Sequence, residues 1–85
     1  MESKFHTLTI SVYERNLVFR EVGNILNHYA RFIQLRTGYP VPGTDFAVIF
    51  LIVLMTNDEL GALSGKLGQI KNVKVNTTTL KIKGS

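Results

Sequence analysis

Near the start of the chain, His6, Leu8, Ile10 and Val12 alternate with Phe5, Thr7, Thr9, Ser11 and Tyr13. A period of two sends successive side chains to opposite faces of a pleated backbone, so Phe5 to Tyr13 is expected to form a half-buried strand. From Arg15 the period lengthens. Val18, Val22, Ile25, Leu26, Tyr29 and Phe32 recur at helical spacing, with Glu21, Asn24, His28 and Arg31 opposite them, which predicts an amphipathic helix to about Phe32. Leu35 to Val41 reads as a second strand. Pro42-Gly43 then suits a turn, because proline presets φ and glycine tolerates φ > 0. The hairpin partner is Phe46 to Met55, which carries no polar side chain at either parity. Asn57 is the expected N-cap of a second helix, with Asp58 and Glu59 in its first turn, where negative charge complements the helix dipole. Leu60, Leu63, Leu67 and Ile70 form its apolar stripe, and β-branched alternation returns from Asn72 to Ile82.

The order βαββαβ predicts an α+β, ferredoxin-like sandwich: a four-stranded antiparallel sheet with two helices on one face. A single domain is expected over residues 1–85. Such a sheet leaves its second face bare, and a bare face in water carries polar residues at every other position. The third strand does not obey this. One parity holds Phe46, Val48, Phe50, Ile52 and Leu54, and the other holds Ala47, Ile49, Leu51, Val53 and Met55. Whichever row meets the helices, an apolar row is left over, forfeiting about 25 cal/mol per Å² while it stays exposed. Self-association is the plain explanation, as a homodimer or homotetramer, with Phe46, Val48, Phe50, Ile52 and Leu54 as candidate interface residues. The alternative is a nucleic-acid-binding domain that uses Phe5, Phe46, Phe50 and the C-terminal lysines, since RNA-recognition domains share this strand order and stack bases on sheet aromatics. Their strand-three signature needs a basic residue and a glycine, where Asp45-Phe46-Ala47-Val48-Ile49-Phe50 begins with an acid and has no glycine.

The 85 residues are 45% hydrophobic and 19% charged, which excludes a disordered tail. So short a chain buries only about 60–65% of its unfolded surface, and a partner copy would supply the missing burial. With no cysteine there is no disulfide framework and no thiolate chemistry. No apolar leader precedes the first strand, and the Phe46–Met55 run is shorter than the ~20 residues of a membrane helix, so a cytoplasmic protein with no membrane contact is expected. The net charge is +4, and every charged residue after Glu59 is a lysine: Lys66, Lys71, Lys74, Lys81 and Lys83. That asymmetry suits an acidic partner without naming one.

Few motifs suggest chemistry. Gly61-Ala62-Leu63-Ser64-Gly65-Lys66-Leu67-Gly68 fails as a phosphate loop, because three residues rather than four separate the first glycines and Leu67 stands where Ser or Thr must follow the lysine. On a helix Gly61, Gly65 and Gly68 share one flank, which suggests close packing against a neighbour or, alternatively, a glycine-lined ligand cleft containing Gly61 and Gly65. His6 and His28 are too few for a metal site within one chain. No nucleophile and base stand together and the six carboxylates do not cluster, so no enzyme, metal or cofactor is expected. Arg36-Thr37-Gly38-Tyr39-Pro40 is the most distinctive polar stretch. It reads as hairpin geometry or as a small-anion contact through Arg36, Gly38 and Tyr39.

Three segments carry a family resemblance: Arg36-Thr37-Gly38-Tyr39-Pro40-Val41, the strand Ala47 to Leu54, and Gly61 to Ile70 followed by Val73-Lys74-Val75. They resemble a family of small bacterial proteins named as iron-only hydrogenase system regulators. That family looks like a stand-alone ACT-like domain, similar to the C-terminal domain of the nickel-responsive repressor. The resemblance implies a non-enzymatic regulatory module, a homo-oligomer that binds a small effector at a subunit interface. It also implies that any operator binding is supplied by a DNA-binding partner protein, because strand one begins too early for a ribbon-helix-helix domain. Ligand-sensing ACT domains have a glycine after strand one, whereas Tyr13-Glu14-Arg15-Asn16 has none. The repressor's histidine and cysteine ligand set is also missing here.

Overall fold

A computed structural model describes residues 2–82. Strand β1 (Lys4–Val12) leads to helix α1 (Arg15–His28), a 3-10 turn (Ala30–Phe32), strands β2 (Ile33–Pro40) and β3 (Ala47–Met55), helix α2 (Asn57–Gly68) and strand β4 (Val73–Thr79). The strands form one sheet in the order β2-β3-β1-β4, and every neighbouring pair is antiparallel. Both helices pack on one face. This is the ferredoxin-like α+β arrangement that the hydrophobic pattern predicts.

The alternation in β1 is realised as expected. His6, Leu8, Ile10 and Val12 are buried, while Phe5, Thr7, Thr9 and Ser11 face the other side, only partly covered. Along β3 the buried parity is Ala47, Ile49, Leu51, Val53 and Met55, which closes a core with Val22 and Leu26 of α1 and Leu63 and Leu67 of α2. The β2–β3 connection is the turn that its residues specify: Thr44 N–H donates to Val41 O at 3.2 Å, and Gly43 takes φ 77 at the position that needs a positive φ.

Four local expectations change. The helical period running to Phe32 is split, since α1 ends at His28 and the Tyr29 N–H bonds Leu26 O; a 3-10 turn then carries the remaining apolar positions. Tyr29 and Phe32 still pack on the core. The N-cap of α2 is Thr56, not Asn57. Thr56 Oγ1 accepts the Glu59 N–H at 3.1 Å and Glu59 Oε1 accepts the Thr56 N–H at 2.8 Å, so a reciprocal capping box outcompetes a lone asparagine cap. The last strand stops at Thr79, and the Leu80 N–H beyond it reaches Phe5 O at 2.9 Å. The glycine flank of α2 packs against nothing within the chain: a Cβ built on Gly61, Gly65 or Gly68 meets no atom within 4 Å. The helix needs its leucines, on the opposite side, for burial, and these glycines are left toward solvent.

Two corners of the chain are joined. Glu14, which precedes α1, and Asn72, which precedes β4, both have positive φ, at 54 and 69. The Asn72 side-chain amide donates to Glu14 Oε2 at 3.1 Å, and the Tyr13 N–H donates to Asn72 O at 2.8 Å. The left-handed turn after β1 is therefore present without a glycine, held by contacts made from the far end of the chain.

Candidate functional site

The sheet face opposite the helices is built by pleat and register. Phe5, Thr9 and Ser11 lie beside Leu54, Phe50 and Val48 across β1–β3, and Leu35, Thr37 and Tyr39 lie beside Ile52, Phe50 and Val48 across β2–β3. The candidate interface residues Val48, Phe50, Ile52 and Leu54 thus share this outer face. Phe46, just before β3, continues the row and stacks on Tyr13 with ring centroids 4.9 Å apart. All five remain partly exposed. The only charged side chain that the register places among these strands on this face is Lys74, opposite Ser11 on the β4 edge. Lys66 lies on α2 and donates to Tyr29 Oη at 3.1 Å, on the helix side, whereas Lys81 borders a surface groove with Phe5 and Leu54, at the other end of β1 from Lys74. Lys83 lies outside the described residues.

The β2 segment divides between the two faces. Arg36, Gly38 and Pro40 lie opposite Leu51, Ile49 and Ala47 and therefore face the helix side, while Tyr39 faces outward. No helix covers them, and residues from Gln34 to Pro40 are exposed. Between this uncovered strip and the first turns of α1 lies a groove of about 350 Å³, lined by Arg15, Asn16 and Phe19 of α1, Gly38, Tyr39 and Pro40 of β2, and Ala47, Val48 and Ile49 of β3. Its floor is open because Gly38 has no side chain: the nearest atoms to a Cβ built there are Ile49 Cγ1 and Val48 O, both at 4.0 Å. Of the candidate ligand residues, Gly38 and Tyr39 meet in this groove and Arg36 lies beyond its lining. Gly61 and Gly65 are elsewhere, on α2, which packs over β4 at the far edge of the sheet.

The groove's α1 wall was missed by reading motifs alone. Its signal was nevertheless present, since Leu17 and Phe19 are apolar yet fall outside the Val18, Val22, Leu26 stripe. In the structure they are 76% and 56% exposed. Arg15, half-buried, lines this groove, and among the described residues its guanidinium has no hydrogen-bond or ion-pair partner. The neighbouring carboxylates are engaged: Asp45 Oδ1 accepts from the Asn16 amide at 3.3 Å and Glu14 from Asn72.

The histidines are accounted for by packing. His6 is fully buried, with Nε2 3.0 Å from Met55 O and Nδ1 2.9 Å from Thr79 Oγ1. A carbonyl only accepts, so Nε2 carries the hydrogen, and in the neutral ring Nδ1 accepts from the threonine hydroxyl. His28 is exposed at the end of α1. Among the described residues no three of His, Cys, Asp or Glu gather as they would around a metal ion, and no helix is long and apolar enough to cross a membrane.

A small α+β ferredoxin-like protein is thus defined, with a bare sheet face crossed by an apolar row on β3 and an open groove at its β2 edge. The chain belongs to the TM1266-like family, described as "Iron-only hydrogenase system regulator, putative", which it matches over residues 4–77. It is also similar to the solved structure of the uncharacterized protein TM1266 from Thermotoga maritima, at 48% identity and a TM-score of 0.90, covering 94% of this chain and 100% of that one. No curated protein matches it. The family's name and the fold together point to a small regulatory module.

Proposed function

We propose that this chain is a single-domain, non-enzymatic, ACT-like regulatory module that acts in the cytoplasm as a homo-oligomer and binds a small effector, with any DNA contact made by a partner protein. The observation that carries this reading is the bare outer face, where Val48, Phe50, Ile52 and Leu54 stand in a row with Phe46 and Phe5 nearby. A second copy suits such a face, because its central strands bear no charge that an identical surface would repel. The area is adequate. Four strands spaced about 4.8 Å apart, each running roughly 25–30 Å, offer on the order of 500 Å² per protomer, or about 1,000 Å² in total, near the lower bound of specific interfaces. The nucleic-acid reading is weakened by the scatter of the lysines, because Lys66 lies on the helix side while Lys74 and Lys81 stand at opposite ends of β1.

Sedimentation velocity of the purified protein beside a Phe50→Glu, Ile52→Glu variant tests the proposal. The expected result is a dimer or tetramer that becomes a monomer with an unchanged far-ultraviolet spectrum. A wild-type monomer at high concentration would remove self-association from the reading.

A further inference from the structure

We infer that the groove between α1 and the β2–β3 hairpin is the effector site, and that its ligand class is a small apolar carboxylate rather than an α-amino acid. This rests on the regulatory reading above but not on its oligomeric part, since one chain supplies every lining residue. The volume of about 350 Å³ falls in the range of small-ligand sites. Ala47, Ile49 and Pro40, on the helix side of the sheet, give it an apolar bed, and the Phe19 ring, 56% exposed, stands beside that bed from α1, while Val48 and Tyr39 border it with their side chains on the opposite sheet face. An exposed ring beside a glycine-floored apolar cleft suits a flat or branched apolar body.

The charge at the mouth selects the other end of the ligand. Arg15 is half-buried and unpartnered among the described residues, and a guanidinium in that state gains most from a carboxylate, which it can bind with two parallel hydrogen bonds. The same surroundings disfavour an ammonium group. An amine α to the carboxylate that Arg15 binds would be held within a few ångströms of the guanidinium and meet its like charge.

Amide resonances of the ¹⁵N-labelled protein, followed during titration with phenylacetate, 2-phenylacetamide and phenylalanine, test this. Phenylacetate is expected to shift Asn16, Phe19, Gly38 and Val48 saturably and to bind about tenfold more tightly than the neutral amide or the amino acid. Arg15→Gln should weaken phenylacetate about tenfold and leave the amide unchanged, while Arg20→Gln, an equal charge change on the exposed face of α1, leaves both unchanged. Gly38→Val should fill the floor and abolish the shifts, with distant resonances reporting that the fold persists. Equal affinity for acid and amide, insensitivity to Arg15→Gln, or shifts confined to other residues would overturn the inference. Sedimentation on the same samples separates the two readings. A monomer that binds phenylacetate at the groove defeats self-association alone, and an oligomer whose groove resonances stay still defeats this inference alone.

Discussion

Along β3 two rows of equally apolar side chains meet different surroundings. Ile49, Leu51, Val53 and Met55 lie beneath the helices and are almost wholly buried, whereas Val48, Phe50, Ile52 and Leu54, one residue out of phase, are only half-covered. Strand chemistry does not separate them. Connectivity does: α1 and α2 both cross on the same side of the sheet, so Val22, Leu26, Leu63 and Leu67 all reach one row and none reaches the other. Hydropathy sets how strongly a side chain favours burial, and topology sets which row receives it from the helices. A residue of the first row should therefore report on folding, and one of the second on association.

The sharpest way to test that division is Leu51→Ala. At a fully buried position it should cost about 2–5 kcal/mol in urea unfolding, from lost transfer energy and the cavity left behind. His6→Leu probes the one polar member of the buried row. It strips Met55 O and the Thr79 hydroxyl of their partner, and a loss of about 1–3 kcal/mol is expected in the same measurement. Phe50→Ala should behave oppositely to Leu51→Ala. Monomer stability is expected to change by no more than about 1 kcal/mol, while dissociation of the proposed oligomer, read by sedimentation, becomes at least about tenfold easier. Thr56→Ala removes the capping box of α2, and a loss of about 1 kcal/mol from thermal or urea unfolding should follow. Smallest and opposite in sign, Gly65→Ala should stabilise by about 0.5–1 kcal/mol, because open space surrounds its Cβ and alanine favours the helix. Destabilisation or dissociation by that change would mean that the glycine flank contacts a second copy, giving the protein another covered face.

Legibility differed between fold and site. The strands were readable because their burial alternates with the pleat, and β1 and β3 keep that alternation from end to end. The capping box was also written in the chain, as Thr56 and Glu59 three residues apart, but Asn57 was the more conspicuous cap by residue type. The ligand candidates Arg36, Gly38, Tyr39, Gly61 and Gly65 come from two separate segments, each read by itself. Only Gly38 and Tyr39 reach the groove, and Arg15, Asn16 and Phe19, which complete it, come from a helix start that bears no recognisable motif. A cleft is a gap between elements, and residues far apart in sequence border it without any shared pattern.

The chain alone determined the order of its elements, the turn at Pro42-Gly43, the core-facing parity of β1 and the existence of a surplus apolar row on β3, because each depends on local periodicity or on the conformational limits of single residues. Only the tertiary structure decided which β3 row is surplus, that the α2 glycines face open space, and that β2 is left without a helix above it. Those outcomes follow from how two helices of fixed length seat on a twisted four-stranded sheet, and from the Glu14–Asn72 contact that ties the beginning of one helix to the beginning of the last strand. No window of neighbouring residues contains that information.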